Sequence, residues 1–282
     1  MKNLNSLLLT MLMFMCGLTV SAYDFEDNGI YYSITSEADK TVEVTYSSTK
    51  YASYAGAVVF PKLVAYKHAT YRVTGIGKSA FRDCSNLTSV NIPKSVVSIG
   101  DSAFYNCSSL TTLSIPNSVT DIGGWAFFHC SGLNALTLGN NVERIGDWAF
   151  FHCSGLSSIT IPSSVITIGD RAFSECFGLT SLIIPNNVTE IGENAFFWCS
   201  DLTSITIGSG VKTIGSNAFA RCVRLKDVSA LAMVPIICEN NLFDMNKFED
   251  ATLYIPEGAM DAYMKTAPWG NFENVQERFF QR

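Results

Sequence analysis

The sequence is poor in the features that mark most enzymes and nucleic-acid-binding proteins. Only 16% of its 282 residues are charged, acidic residues outnumber basic ones by 25 to 19, and there are three histidines. A net charge of −6 argues against a nucleic-acid partner, because such a partner requires a basic face. No phosphate-binding loop, dinucleotide-binding fingerprint, serine-hydrolase elbow or zinc-protease motif occurs. The sequence therefore predicts a non-enzymatic protein that has no cofactor and no metal site.

Long apolar runs are confined to the start of the chain. No segment after Ala22 approaches the roughly 20 apolar residues that span a bilayer, so no transmembrane segment is expected. Residues 1–22 combine the basic Lys2, an apolar run and small final residues, which is typical of a secretory signal cleaved after Ala22. Cys16 raises the alternative of lipidation, which the bulky Met15 before it disfavours. We expect a protein that is secreted, periplasmic or held at the cell surface.

What the sequence does contain is a repeat of constant length. The dipeptide Ile-Gly recurs every 23 residues, with no insertion or deletion. Its isoleucines are Ile76, Ile99, Ile122, Ile145, Ile168, Ile191 and Ile214. A fixed period in this range is the signature of a solenoid, in which each repeat forms one coil and the stacked coils share a core.

Each repeat contains two kinds of apolar spacing. With the isoleucine as position 1, the pattern is I-G-x-x-A-F-x-x-C-x-x-L-x-x-[ILV]-x-[IL]-P-x-x-V-x-x. Positions 5, 6 and 9 have the spacing of one helical face, whereas positions 15 and 17 alternate as in a strand. We therefore predict a repeat solenoid of stacked coils. Short parallel strands should form one face and short helical turns the other.

Cysteine is abundant, but its spacing argues against disulfides. Seven of the nine cysteines occupy position 9 of successive repeats, and no C-x-x-C pair occurs. Equivalent positions in a solenoid point the same way, so seven such thiols cannot all pair. We interpret them as a ladder of buried, free thiols that act as small apolar groups.

The ends of the chain depart from the repeat. A solenoid needs atypical segments at its ends, because the first and last coils would otherwise expose their apolar interior. We expect strands and a hairpin over 63–73 before the repeats, and a strand at 252–256 and a short helix within 257–265 after them. The predicted divisions are a signal peptide at 1–22, a β-rich cap with a first partial repeat at 23–75, seven repeats at 76–236, and a degenerate repeat with a cap at 237–282.

The repeat motif resembles a known family. From Ile76 to Val234 the motif L-x-x-[ILV]-x-[IL]-P-x-x-V-x-x-I-G-x-x-A-F-x-x-C resembles the BspA-type leucine-rich repeat family. The start at Tyr23 and the end at 251–256 also resemble exported Bacteroidetes members. The resemblance implies a curved leucine-rich-repeat solenoid that coils in a right-handed sense and is lined by strands. It also implies a secreted or surface location, and adhesion to host proteins or other cells. The family has no common catalytic residues to carry over, and its members differ in partner.

The third and fourth repeats offer one candidate binding surface. Their positions 4, 7 and 8 carry the same aromatic block, which the repeat pattern does not require. The block consists of Trp125, Phe128, His129, Trp148, Phe151 and His152. Exposed aromatic patches mark interaction sites, and tryptophan is enriched in binding hot spots. The alternatives are phenylalanines packed between turns, and histidines that are solvated rings rather than metal ligands.

The strand face is the second candidate. Positions 14 and 16 should point outward there and are mostly Ser and Thr, as at Thr137 and Thr160. The alternative is a solvated sheet whose residues reflect β-propensity alone. Acidic residues at position 3 are interpreted as caps of the predicted helical turns. They are Asp101, Asp147, Asp170 and Glu193.

Two functions remain open at this point. The first is an exported, non-enzymatic surface protein that binds a protein or glycan partner in adhesion or cell–cell interaction. The second is a structural scaffold component of a surface assembly, which self-associates through the repeat surface. The sequence determines neither the ligand nor the oligomeric state.

Overall fold

A computed structural model describes residues 22–47, 51–238, 241–244 and 247–280. The expected signal peptide lies outside these residues apart from Ala22. Within them the chain forms twenty β-strands, two α-helices and one 3-10 turn. No helix in this part of the chain has the length and apolar character needed to cross a membrane.

The strands in chain order are β1 (Phe25–Asp27), β2 (Ile30–Ser36), β3 (Thr41–Thr45), β4 (Gly56–Val59), β5 (Leu63–Tyr66), β6 (Ala69–Ile76), β7 (Leu87–Asn91), β8 (Ser98–Ile99), β9 (Thr112–Ser114), β10 (Asp121–Ile122), β11 (Ala135–Thr137), β12 (Arg144–Ile145), β13 (Thr167–Ile168), β14 (Ser181–Ile184), β15 (Glu190–Ile191), β16 (Ser204–Ile207), β17 (Thr213–Ile214), β18 (Asp227–Ala230), β19 (Thr252–Pro256) and β20 (Asn274–Arg278). The helices are α1 (Lys247–Asp250) and α2 (Met260–Met264), and the 3-10 turn is Trp269–Asn271.

Two parallel ladders run along the repeats and establish the solenoid. The first joins the two-residue strands that end at position 1, so that Ile122 pairs with Ile99 on one side and Ile145 on the other. The second joins the strands at positions 14 to 17, so that Leu136 pairs with Leu113. Each pairing advances by one repeat, so one repeat forms one coil, and the predicted repeat solenoid is confirmed. The first ladder, on a second side of the coil, was not predicted.

The second ladder is divided at the fourth repeat. Strands β4, β7, β9 and β11 form one sheet, and β14, β16, β18, β19 and β20 form another. The intervening segment around Thr160 forms no strand. The strand predicted there is therefore absent, and Thr160 lies between two sheets rather than within one.

The helical turns predicted at positions 5 to 9 are wrong in their geometry. In the third repeat the N–H groups of Ala126 and Phe128 donate to the carbonyls three residues earlier. The N–H groups between them, those of Trp125 and Phe127, donate to the next coil, at Asp147 and Ala149. Hydrogen bonds within the turn thus alternate with hydrogen bonds between coils, so every second amide N–H joins one coil to the next.

Left-handed residues explain why no helix forms. The residues at positions 4 and 8 have positive φ in all seven repeats, at Ser79, Asp83, Ser102, Asn106, Trp125, His129, Trp148, His152, Arg171, Glu175, Asn194, Trp198, Asn217 and Arg221. A right-handed helix cannot pass through such residues. The apolar spacing of positions 5, 6 and 9 is met instead by a turn that buries the same three side chains.

Glycine at position 2 serves close packing between coils. Gly146 has no positive φ. A Cβ atom on it would lie 2.8 Å from the carbonyl carbon of Gly123, the nitrogen of Gly124 and the carbonyl oxygen of Ile122 in the preceding coil. Real Cβ atoms do not approach backbone atoms so closely. The glycine therefore sets the spacing between coils.

The core consists of continuous columns. The phenylalanines at position 6 stack face to face, with 5.0 Å between the ring centroids of Phe127 and Phe150 and 5.1 Å between those of Phe150 and Phe173. The seven position-9 cysteines are buried and free, as predicted. The thiol of Cys153 donates to the carbonyl of Phe127 at 3.2 Å, and the same bond recurs at most other coils. The thiols therefore link coils as well as filling space.

The two ends of the solenoid are covered as expected. Strands β5 and β6 form the predicted hairpin, and β19 and α2 lie where a strand and a short helix were predicted. Phe243 continues the phenylalanine column at 5.7 Å from Phe219, and the buried rings of Trp269 and Phe272 meet it edge-on. The 23-residue period would place the next position-1 isoleucine at Ile237, but Ile237 is 86% exposed and its neighbour Ile236 is buried instead.

Candidate binding surface on the third and fourth repeats

The aromatic block lies in the turn segment of its coils, at positions whose side chains are not part of the fully buried core. Positions 5, 6 and 9 point inward and are fully buried, as at Ala149, Phe150 and Cys153. Positions 4 and 8 are left-handed, with φ near +54° at Trp125 and +59° at Trp148. A bulky residue with positive φ is uncommon and costs about 1–2 kcal/mol. Since all seven repeats have a left-handed residue at position 4, this conformation belongs to the turn itself, and Trp125 and Trp148 adopt it with a bulky side chain.

The structure brings five of the six rings of the block into contact. The centroids of Phe128 and Phe151 lie 4.8 Å apart in stacked rings, and Trp148 lies 4.9 Å from Phe151. His129 stacks on His152 at 4.3 Å and also contacts Phe128. These rings are half-buried. The phenylalanines therefore pack between turns, as one alternative had it, and form the floor of the surface.

Trp125 is the most exposed ring of the block. Its side chain is 43% exposed, whereas that of Trp148 is half-buried against Phe128 and Phe151. Its amide donates to Asp147 in the next coil, which fixes its backbone. The two tryptophans at equivalent positions thus differ, since one is embedded in the aromatic floor and the other stands out from it.

The block extends beyond the predicted residues on both sides. Tyr105 stacks on Phe128 at 4.7 Å in the preceding coil. On the other side the position-7 column stops at Ser174, whose hydroxyl donates to the carbonyl of Phe197. Phe177 then links His152 to Trp198 through edge-on contacts of 5.5 and 5.4 Å. Tyr105 and Trp198 stand in the aromatic columns of positions 7 and 8, whereas Phe177 stands at position 10, outside any aromatic column, and was not predicted.

The two histidines stack on each other, and one of them bonds to Glu175. The Nδ1 atom of His152 lies 3.0 Å from Oε2 of Glu175. Burial, and to a smaller extent the neighbouring His152, lower the pKa of His129, while Glu175 acts in the opposite direction. The imidazole planes are nearly parallel, at 14°, so their nitrogen lone pairs do not converge on one point. No group of three or more metal-ligating side chains is found in the part of the chain that the structure describes.

The acidic residues at position 3 are not helix caps, which corrects the sequence interpretation. No helix begins beside them. Three of the four carboxylates instead accept the amide N–H of position 3 in the following coil. Asp101 accepts from Gly124 at 2.9 Å, Asp147 from Asp170 at 3.0 Å and Asp170 from Glu193 at 2.7 Å. The Glu193 carboxylate accepts from the side-chain amide of Asn194. These bonds join neighbouring coils, and the series is interrupted at Gly124, which has no carboxylate.

The strand-face candidates lie in another segment of the coil. Thr137 is exposed in β11, where it borders a shallow groove of about 380 Å³. Ser89, Asn91, Thr112 and Ser114 also line this groove. Thr160 is exposed but lies beyond β11, in the fourth repeat, which has no strand at positions 14 to 17. The outward orientation predicted for both is confirmed, yet the structure does not bring them into one sheet.

The sequence profile of the BspA type leucine-rich repeat region matches this chain over residues 66–153 and 128–249, in six copies. The match covers well over half of the chain. The chain belongs to the BspA-type leucine-rich repeat family. A comparison with curated proteins finds no match.

A solved structure supports the fold of this BspA-type chain, and a second is similar to it. A leucine-rich repeat protein of Treponema pallidum is similar over 91% of this chain and 100% of its own, with 23% identity and a TM-score of 0.55. A leucine-rich cell surface protein of Faecalibacterium prausnitzii is similar over 91% of this chain and 95% of its own, with 22% identity and a TM-score of 0.49. At these identities the likeness concerns the fold alone.

A groove at the C-terminal end of this BspA-type solenoid escaped sequence reasoning. It has a volume of about 730 Å³ and follows the ends of the last strands. Val234, 76% exposed, and Phe279, 78% exposed, border it, together with Arg278 and Glu257. The apolar run 231–234, which the repeat pattern does not explain, is the signal that could have indicated it.

Proposed function

We propose that this BspA-type chain is an exported, non-enzymatic protein that binds a protein or glycan partner through the aromatic surface of its third and fourth repeats. The surface consists of Trp125, Phe128, His129, Trp148, Phe151 and His152. The observation that carries the proposal is the 43% exposure of Trp125 at a left-handed position, beside a floor of stacked rings. An exposed aromatic on a rigid, partly apolar platform is typical of a binding hot spot.

Two considerations support this surface over a structural role for the same residues. The other five repeats form their turns with Ser, Asn or Arg at position 4, so the fold does not require tryptophan there. Hydrogen bonds between coils already fix the backbone of the third and fourth repeats. The rings of Trp125 and Trp148 are therefore additions to a turn that is stable without them.

Export is supported by the sequence rather than by the folded residues. The basic Lys2, the apolar run and the small residues ending at Ala22 are typical of a secretory signal. The family likeness described for the repeats is consistent with a secreted, periplasmic or surface location. Adhesion to host or neighbouring cells is the role we expect for such a protein.

The proposal is tested by capturing partners with the mature chain from a glycan array and from host-cell surface proteins. One variant carries Trp125→Ala and Trp148→Ala, and a second carries Trp125→Ala alone, because Trp148 also packs on Phe151. A matched variant alters the other candidate face with Thr137→Arg and Thr160→Arg. We expect the tryptophan variants to lose capture and the threonine variant to retain it, with unfolding midpoints confirming that each variant folds.

The scaffold alternative is decided by sedimentation velocity on the same variants. Self-association of the wild-type chain that is lost in the double tryptophan variant, without any captured ligand, would replace the proposal by a self-assembling scaffold. Loss of capture only in the threonine variant would move the site to the strand face.

A further inference from the structure

Arginines cover several other rings along the outer face of the turns. The guanidinium of Arg82 lies 4.3 Å from the ring centroid of Tyr105, and that of Arg171 lies 4.7 Å from Trp148. Arg221 lies 5.7 Å from Trp198. In each case the arginine occupies the equivalent position of an adjacent coil. The solenoid thus uses a stacked arginine to cover the end of an aromatic column.

Trp125 lacks such a cover. The residues on either side of it in the position-4 column are Ser102 and Trp148, so no arginine stands next to it in that column. Among the described residues, none of the cation–π contacts involves Trp125. Its exposure of 43% is close to the 40% of Trp198, which does carry an arginine. Trp125 is therefore equally accessible but has an open face.

Carboxylates outnumber cations on the coils next to this open ring. Asp101 and Asp147 are exposed, and they stand at position 3 of the coils on either side of the third repeat. The carboxylate of Asp101 accepts the amide N–H of Gly124, the residue that precedes Trp125. Arg144 pairs with Asp121 at 2.6 Å and also interacts with Asp147 and Asp101, so one guanidinium faces three carboxylates. An aromatic face beside an excess of carboxylates favours a cation over an anion or a neutral group.

We propose that Trp125 receives a lysine or arginine side chain of a protein partner, which stacks on the indole while Asp101 and Asp147 attract its charge. This inference rests on the proposed function and narrows it, since it selects a protein with a basic side chain over a glycan. The contact of Arg171 with Trp148 shows within the molecule the geometry that the partner's side chain would adopt.

The test titrates the mature chain with a blocked oligolysine peptide and with the same peptide after acetylation of every lysine. Binding is followed by the indole N–H signal of Trp125 in NMR spectra and by affinity. We expect oligolysine, but not its acetylated form, to shift this signal, and salt to weaken the binding. Trp125→Leu should lower the affinity for oligolysine about two- to fivefold, the range for an exposed cation–π contact.

Two variants separate the contact from general charge attraction. Trp198→Leu removes a tryptophan of matched exposure whose ring is already covered, and it should leave the affinity unchanged. Ser102→Arg places an arginine next to Trp125 as Arg82 stands next to Tyr105, and it should abolish the Trp125 shift. Arginine is compatible with the left-handed backbone there, since Arg171 and Arg221 adopt the same conformation.

An equal response to the acetylated peptide, or equal losses from Trp125→Leu and Trp198→Leu, would overturn the inference. Its failure is distinguishable from failure of the proposed function. If Ser102→Arg still captures the natural partner while the double tryptophan variant does not, the surface is correct and the cationic ligand is wrong. If the Ser102→Arg variant and the double tryptophan variant both capture the natural partner as the wild type does, the cationic ligand and the aromatic binding surface are both wrong.

Discussion

The left-handed residues at positions 4 and 8 separate the variable surface of each coil from its core. Their neighbours at positions 5, 6 and 9 are buried, whereas positions 4 and 8 carry residues as different as Ser, Asp, His, Glu, Arg and Trp. A change at these positions alters the surface without disturbing the columns. This arrangement lets one coil differ from the next in what it can bind while the fold stays the same.

Glycine at position 2 provides a residue-level test of coil spacing. Gly146→Ala would place a methyl group 2.8 Å from backbone atoms of the preceding coil, which cannot move away as a side chain can. We expect a loss of at least about 1–3 kcal/mol in the free energy of unfolding, the range for overpacking. Urea denaturation measures it.

The matched control is Gly124→Ala. A Cβ atom there would lie 3.4 Å from the Asp147 carbonyl oxygen, an ordinary contact, and other repeats carry larger residues at this position. We expect it to change stability by less than about 0.5 kcal/mol. Equal effects of the two substitutions would show that coil spacing is not what requires glycine.

The buried thiols predict a loss of stability at alkaline pH. Burial raises the pKa of Cys176 from 9.0 to about 12, and it raises the pKa of Cys153 and Cys199 as well. The unfolded thiol loses its proton above its ordinary pKa while the folded thiol keeps it, so stability should fall as pH rises from about 9 towards 12. Each such thiol contributes a slope of about 1.4 kcal/mol per pH unit.

Urea unfolding at a series of pH values across this window measures the slope. Buried tyrosines such as Tyr32 act in the same direction, so the comparison is with Cys176→Ala, which should have a shallower dependence. An unchanged slope in that variant would mean that the thiol titrates equally in both states.

Apolar columns were readable from the sequence, but backbone conformation was not. The spacing of Phe150 and Cys153 shows that both face inward, and the structure agrees. The same spacing fits a helical turn and a turn through two left-handed residues, and neither Trp148 nor His152 signals positive φ by type. Gly146 was correctly singled out, yet its reason lies in another coil, which local sequence does not reveal.

At the scale of the element, each coil is held by bonds to its neighbours rather than by its own structure. The two-residue strands of the first ladder have no alternation to detect in the sequence, which explains why this ladder was not predicted. Their partners lie one whole repeat away. A single coil has no independent stability, and damage to one coil should spread to those beside it.

Phe150→Ala tests this coupling. The ring is fully buried between Phe127 and Phe173, so its removal should cost about 3–5 kcal/mol of unfolding free energy by leaving a cavity. Hydrogen exchange should also accelerate at the amides of Phe127 and Phe150, which bond to the next coil. Phe279→Ala, at a residue 78% exposed, is the matched control and should change stability by less than about 0.5 kcal/mol. Faster hydrogen exchange only in the coil that contains Phe150 would contradict the coupling between coils.

At the scale of the whole molecule, the repeat period fixed the architecture and the ends could be anticipated. Tyr54 and Phe243 close the phenylalanine column at its two ends, and Trp269 covers the last coil with its indole N–H bonded to Ile236. The C-terminal groove was not foreseen, because it forms between segments that are distant in sequence. The aromatic surface was foreseen, because its residues recur as a block that the repeat pattern does not demand.

The central claim is that the aromatic face of repeats three and four, rather than the strand face, binds the partner. Capture of a cell-surface or glycan ligand by the double variant Trp125→Ala, Trp148→Ala, relative to Thr137→Arg, Thr160→Arg, tests it most directly. The account predicts that the tryptophan variant loses capture while it remains folded, and that the threonine variant captures as the wild type does. Full capture by a folded tryptophan variant would contradict it.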